Sequence, residues 1–352
     1  MTEAKRVPSL GSKDDRNFRS LYYEKVGFRG VDERKAIEAI FNENPVSVEK
    51  CCSFALKCSI PSCDRLQAWK IMLGVAPRYA KNKESCWKWK VKAYEDNLRF
   101  MKSAGLITET MSKAQSHAIL WLLFNGGQKY DLRSQLNHFW PMNFTLISQS
   151  MFEICKDQYQ ANDIEVFYLT QGLTDILKNA SEDTLSDAMT TFHKIMSEDY
   201  PKLNAHLDKI GFCEKCPVKN WICRGFAGIL SPPALEKIWD KVIGGSLKIL
   251  VFVAVALFES CQLVLLSCQT SQEAVKKLSS VILFSSRIGK VDDNLSFFRM
   301  TRRMMKPLPK TRSKCITKCR QTAPSPKQKR QKSPLKMGLL SNKSPLNMTW
   351  LL

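Results

Sequence analysis

Histidine is scarce in this sequence, with 4 in 352 residues, and acidic residues vanish altogether beyond Arg299. The first scarcity leaves little material for imidazole catalysis or a histidine-rich metal centre. The second locates the charge. Of the net +21, residues 299–352 supply 15 Lys and Arg, so 21 − 15 leaves +6 for residues 1–298. That body is only mildly basic, which argues against a domain built to bind nucleic acid. No apolar run approaches the roughly 20 residues that a membrane-spanning helix needs. The longest, Ile249 to Phe258, is ten residues, preceded by Lys248 and closed by Glu259, and it reads as a buried core helix. A Gly-rich phosphate loop, a Gly-x-Ser-x-Gly nucleophile turn and a paired-carboxylate arrangement are also missing.

Cysteine is plentiful, at 13 residues, but its spacing forms no dense disulfide framework and no secretory-type leader opens the sequence. This predicts a cytosolic, reduced protein whose cysteines act as small hydrophobes. Cys213-Glu-Lys-Cys216 is half a zinc site, extended by His206 and Cys223 to His-x6-Cys-x2-Cys-x6-Cys. That spacing matches no standard finger, so the expectation is packed or free thiols and no bound metal or other cofactor. His117, His138 and His193 stand alone and read as surface or capping residues.

The remainder has the rhythm of helix after helix. Apolar residues recur at three- and four-residue steps in Arg34 to Phe41, in Ser62 to Leu73 and in Ser85 to Lys102, the last through Trp87, Val91, Tyr94, Leu98 and Met101. Further stripes run over 114–124, 146–159, 164–177 and 184–196. Pro61 and Ser62 suit a helix start and Gly74 a helix end. Ser231 suits an N-cap, followed by Pro232 and Pro233 in a first turn, and Ser246 suits the N-cap of the apolar helix. In the helix between, Leu235, Ile238, Trp239 and Val242 share a face, which buries the Trp239 ring and leaves Asp240 for a neighbouring cap or cation. Residues 126–144, with Gly126-Gly127 and Pro141, predict a long loop. No segment alternates apolar and polar residues with a strand's period, and the fold class is all-α.

The organisation that follows is a disordered N-terminus over 1–16, a helical domain over 17–285 and a basic, Pro/Ser-rich tail over 286–352, mostly disordered. The tail repeats Lys-Ser-Pro-Leu and holds three Ser-Pro sites, Ser325, Ser333 and Ser344. Phosphorylation there by a proline-directed kinase would place negative charge in a positive strand.

Three segments carry a family signature. Near the start stands Asn17-Phe-Arg-Ser-Leu-Tyr-Tyr-Glu-Lys-Val-Gly-Phe-Arg-Gly-Val31. Further on comes Arg65-Leu-Gln-Ala-Trp-Lys-Ile-Met-Leu-Gly74. Late in the chain Trp221-Ile-Cys-Arg-Gly-Phe-Ala-Gly-Ile-Leu230 precedes Leu235-Glu-Lys-Ile-Trp-Asp-Lys-Val242 and Gly245-Ser-Leu-Lys-Ile-Leu-Val-Phe-Val-Ala-Val255. Together they resemble the TBC domain of Rab GTPase-activating proteins, and the resemblance spans about residues 17–280.

The resemblance implies an all-α TBC (Rab-GAP-like) helical domain. It also sets a test for activity, because active members supply an Arg from Ile-x-x-Asp-x-x-Arg and a Gln from Tyr-x-Gln. The Arg stabilises charge on the transferring phosphoryl group and the Gln orients the attacking water. Here Asp96-Asn-Leu-Arg99 has Ala93 in place of the Ile, and Tyr168-Leu-Thr-Gln171 is one residue too long. The expectation is that both fingers are absent and no catalytic residue is present. The end segments resemble an adaptor branch of the family. That branch implies binding to a hamartin-type coiled coil and, through it, to a tuberin-type activator of the Rheb GTPase. It places the protein in the cytoplasm and peripherally at lysosomes or vesicles, as a restraint on rapamycin-sensitive kinase signalling. Rab-family GTPases are further possible partners. Phe18, Tyr22 and Tyr23 form an aromatic cluster suited to a partner or to packing on the domain.

Overall fold

The computed structural model describes residues 30–125, 132–158, 161–180 and 182–278. All of them fall in one compact unit. The aromatic cluster Phe18, Tyr22 and Tyr23 and the sites Ser325, Ser333 and Ser344 lie outside the described residues, as do the expectations for 1–16 and 286–352.

The described residues contain helices and no strand. The first four are α1 (Gly30–Phe41), α2 (Val48–Lys57), α3 (Ser62–Met72) and α4 (Lys83–Ser103). Then come α5 (Lys113–Phe124), α6 (Phe139–Gln158), α7 (Asp163–Lys178), α8 (Glu182–Asp199) and α9 (Pro201–Lys209). The series continues with α10 (Val218–Cys223), α11 (Pro232–Ile243), α12 (Lys248–Ser260) and α13 (Gln262–Leu266). A helical stretch over 271–278 ends the described part.

Local chemistry sets many boundaries. Ser112 and Gln115 form a reciprocal capping box at the start of α5, and Asn162 and Glu165 form one at α7. α3 stops at Gly74, whose φ of 67° lies in the left-handed region that glycine tolerates. One capping expectation holds in position and one is corrected. Ser231 occupies the N-cap of α11, but its hydroxyl makes no capping bond. The N-cap of α12 is Leu247, so Ser246 lies one residue too early to serve. The loop expected over 126–144 is also shorter, because α6 already begins at Phe139 with Pro141 as its third residue. A proline in a first turn removes only an N–H that has no intrahelical partner. α2 occupies a stretch in which no helix was expected individually; Ser47 caps it by accepting from the Lys50 amide.

α5, α6 and α7 pack side by side, and α12 lies against α8. α12 is buried on most of its circumference through Ile249, Leu250, Val251, Val253, Ala254, Val255 and Phe258. Such all-round apolarity marks a central helix. The Phe258 ring meets Phe192 at 5.2 Å and Phe212 at 5.8 Å between centroids. No helix of the described residues is long and apolar enough to cross a membrane.

Candidate functional site

The segments 65–74 and 221–255 of the family signature meet in a buried polar junction. Arg65 on α3 and Asp240 on α11 are 5% and 1% exposed. Arg65 Nε donates to both Asp240 carboxylate oxygens, at 3.1 and 3.2 Å, and its NH1 donates to Glu236 Oε2 at 2.7 Å. Its NH2 donates to the Ile60 carbonyl at 2.8 Å. Trp69 Nε1, one helical turn after Arg65, donates to Asp240 Oδ1 at 2.8 Å. Asp240 therefore does face a cation, while the Trp239 ring is fully buried and its Nε1 donates to the Gly225 carbonyl at 2.8 Å. Gly225 suits that site, because a Cβ there would stand 3.1 Å from Trp239 Nε1 and φ is +55°. Burial pushes the Asp240 carboxyl up to about 6, against the opposing pull of Arg65, Trp69 and Lys241.

Lys241 extends the junction to α2. Its Nζ donates to the carbonyls of Ala55 at 2.6 Å, Leu56 at 3.3 Å and Cys58 at 2.7 Å. These are C-terminal carbonyls of α2 with no helical partner, so a cation from α11 caps the negative end of another helix. Gly244 lets the helices approach, because a Cβ there would lie 3.2 Å from Ala55 Cβ and 3.2 Å from the Cys52 carbonyl oxygen. Every charged group of the junction is committed to another protein group, which is the arrangement of a structural clamp.

The two near-finger segments are placed apart. Tyr168 is buried, its hydroxyl donates to the Lys90 carbonyl at 2.9 Å, and the Lys90 ammonium lies 4.4 Å from its ring centre. Tyr168 thereby pins α7 to α4 and does not present Gln171 on a mobile loop. Gln171 is half-buried within α7, and the next residue, Gly172, packs on Leu73. Arg99 is exposed on α4 and pairs with Asp96 one turn earlier. It lies nine residues beyond Lys90, or about 13 Å along the helix axis.

The His/Cys set does not converge. Cys213 Sγ donates to Asp208 at 2.8 Å, and His206 Nε2 donates to the Cys268 carbonyl at 3.0 Å. Among the described residues no group of three or more His, Cys, Asp or Glu is placed to hold a metal ion. Burial pushes the Cys213 thiol up to about 12 and Cys216 to about 11, away from a reactive thiolate. His117, expected at the surface, is instead core. Its Nε2 bonds the Tyr94 hydroxyl at 3.1 Å and its Nδ1 the Ser148 hydroxyl at 3.2 Å, while Phe152 stacks on it at 5.0 Å. Burial lowers it to about 4, so it is neutral at physiological pH.

Among the described residues, the outer side of α4 carries two large exposed aromatics. Tyr94 and Met101 point inward and are buried. Opposite them Trp89 is 71% exposed and Phe100 is 55% exposed. The eleven residue steps from one to the other make three turns with an offset of about 20°, so the two rings stand on one stripe about 16 Å apart. Lys92, Asp96 and Arg99 are exposed on the same side. The helical period marks only the inner stripe of this helix; Trp89 and Phe100 are the large apolar residues that the inner stripe leaves over.

Comparison with known proteins agrees with this architecture. The Rab-GTPase-TBC domain model matches residues 145–266, from α6 to α13. Arg99 falls outside that match and Gln171 within it. TBC1 domain family member 7 of Danio rerio is 32% identical over 266 residues, covering 73% of this chain and 86% of the relative. The Homo sapiens protein of that name is 29% identical over 268 residues, covering 76% of this chain and 89% of its own. The Xenopus tropicalis protein is 28% identical over 276 residues, covering 77% and 91%.

Proposed function

This chain belongs to the TBC1 domain family member 7 group of Rab-GTPase-TBC proteins, and on that premise we propose that it is a non-catalytic adaptor that grips a helical partner on the outer face of α4. The carrying observation is the stripe formed by Trp89 and Phe100. Large exposed aromatics at helical spacing suit a helix-on-helix contact, and aromatics dominate the energetics of such interfaces. The partner is a hamartin-type coiled coil, through which the chain joins a tuberin-type activator of Rheb and restrains rapamycin-sensitive kinase signalling. Its seat is the cytoplasm, with a peripheral position at lysosomes or vesicles.

Three observations support the non-catalytic side. Ala93 replaces the family's Ile, the Tyr168 hydroxyl is engaged in packing, and Arg99 pairs with Asp96. A finger displaced by about 1 Å already loses much of its effect. The test is calorimetric titration of the full chain with a hamartin coiled-coil fragment. Wild type binds, and Trp89→Ala and Phe100→Ala each weaken binding by roughly 30-fold, the scale of a hot-spot residue. Absence of binding by well-folded wild type sinks the adaptor reading. Single-turnover GTP hydrolysis over a Rab panel tests the competing activity: stimulation by wild type that disappears in Arg99→Ala or Gln171→Ala makes the chain an activator with non-standard fingers.

A further inference from the structure

On the flank of its aromatic stripe α4 carries a thiol and an amine in one place. Cys86 is a free cysteine, and both it and Lys90 are half-buried. They stand four residues apart in one unbroken helix, which makes them surface neighbours with about 5–6 Å between their Cβ atoms. Helical side chains lean toward the helix N-terminus, so Lys90 lies over the turn that carries Cys86. The Lys90 Nζ rests on the Tyr168 ring, 4.4 Å from its centre. No acid acts on Lys90, whereas Lys88 pairs with Glu84 at 2.8 Å. Burial lowers the Lys90 ammonium below the usual lysine range, and only the Cys86 thiolate pulls the other way. Lys83 is three residues before Cys86, but it is exposed and leans away from the thiol.

A cysteine thiolate is a strong nucleophile toward thioesters, and a desolvated lysine without an acid offers its free amine. We propose that Cys86 and Lys90 form an acyl-acceptor site, in which Cys86 takes an acyl group from a thioester of the acyl-coenzyme A class and passes it to Lys90. The first step is thioester exchange. The Cys86 thiolate attacks the acyl carbonyl, the carbon–sulfur bond to coenzyme A breaks, and the released thiolate takes up the proton that Cys86 lost. In the second step the Lys90 amine attacks the new thioester. A carbon–nitrogen bond forms, the bond to Cys86 Sγ breaks, and a proton from the amine restores the thiol. In sum, the acyl thioester and the Lys90 ammonium become an amide, free coenzyme A thiol and one proton. Proximity makes the second step intramolecular. Acylation removes the positive charge over Tyr168, beside the bond from the Tyr168 hydroxyl to the Lys90 carbonyl. The site is independent of what covers Trp89 and Phe100.

The full chain is incubated with acetyl-coenzyme A at mildly alkaline pH, and acetylation of each lysine is followed by peptide mass spectrometry. Lys90 is expected to react about tenfold or more faster than Lys83 and Lys92. Cys86→Ser is expected to remove that excess and to leave Lys83 and Lys92 at their wild-type rates. Succinimidyl acetate acylates amines without a thiol, and equal labelling of Lys90 in wild type and Cys86→Ser shows that the variant keeps its fold. Unequal labelling hands the decision to Lys90→Arg. That variant keeps a cation over Tyr168 but cannot accept the acyl group, so a hydroxylamine-labile acetyl thioester is expected to accumulate on Cys86. Three results overturn the relay: wild-type Lys90 reacting no faster than Lys92, an excess at Lys90 that survives Cys86→Ser, or a Lys90→Arg chain without thioester at Cys86.

Discussion

The junction between α3 and α11 and the outer face of α4 are both rich in tryptophan and in charge, yet they are opposite in kind. At the junction Trp69 and Trp239 have no exposed surface, and Arg65, Asp240 and Lys241 are each bonded to named protein groups. On α4 Trp89 is exposed, and Lys92 answers no carboxylate among the described residues. The same residue types hold the fold together in one place and are left over in the other. Satisfaction therefore separates the two roles, where residue type does not. A polar group whose every bond is internal contributes to stability; one left open at the surface contributes to recognition.

The comparison breaks first at Arg65. Arg65→Leu strands Asp240 and Glu236 without their cation, and the expected loss is about 3–5 kcal/mol by urea unfolding. Replacing Arg65, Glu236 and Asp240 together by apolar residues should recover most of it, because the desolvation goes with the charges. A loss of under about 1 kcal/mol for Arg65→Leu alone would unmake the clamp. The second test is acid. His117 titrates near 6.5 when unfolded and about 4 when folded. A folded value below the unfolded one gives stability that is present above pH 6.5 and is lost as pH falls toward 4. The loss is roughly 3 kcal/mol over that window. Asp240, raised by burial from 3.8 to about 6, takes up its proton more readily in the folded chain, so its part of the acid response is opposite in sign to that of His117. His117→Gln, which keeps a hydrogen-bonding side chain without the titration, should flatten the acid limb measured by urea midpoint against pH. A limb as steep as wild type would place the acid sensitivity elsewhere.

Third, Lys241→Met removes the ammonium from three carbonyls of α2, with an expected cost of about 2 kcal/mol. Hydrogen exchange should quicken in residues 48–58 before it does in α12, and uniform exchange across both would show that the cap is not local. The smallest effect belongs to the other region. Trp89→Ala and Phe100→Ala should leave unfolding within about 0.5 kcal/mol of wild type, although each weakens partner binding. A destabilisation comparable to that of Lys241→Met would move the α4 stripe into the structural class.

The helices themselves were largely legible, because stripes such as Trp87, Val91, Tyr94, Leu98 and Met101 repeat at the helical period and α4 follows them. α2 was not, since its core, Val-Glu-Lys-Cys-Cys-Ser-Phe-Ala-Leu-Lys, is short and two of its apolar positions are cysteines. The start of α6 was hidden by Pro141, which breaks a helix everywhere except in the first turn, where it stands. His117 was misplaced because a lone histidine carries no periodic signal of its own. Its neighbours Ala114, Ala118, Ile119 and Leu120 are all buried and were the signal available. The cation awaiting Asp240 was foreseeable in kind, but its identity was not. Arg65 is 175 residues away, and nothing in local spacing reports a partner at that distance.

The cap that Lys241 places on α2 has a consequence for how the chain is made. Translation delivers α1, α2 and α3 first, at about 5–20 residues per second, yet the carbonyl end of α2 meets the Lys241 ammonium, and the guanidinium of Arg65 the carboxylates of Glu236 and Asp240, only on α11. Those leading helices must wait, with a cation and three carbonyls still in water, until residue 241 has left the ribosome. A nascent chain halted ahead of α11 should thus be open to protease in its first third, and synthesis should close that region only as its last helices appear.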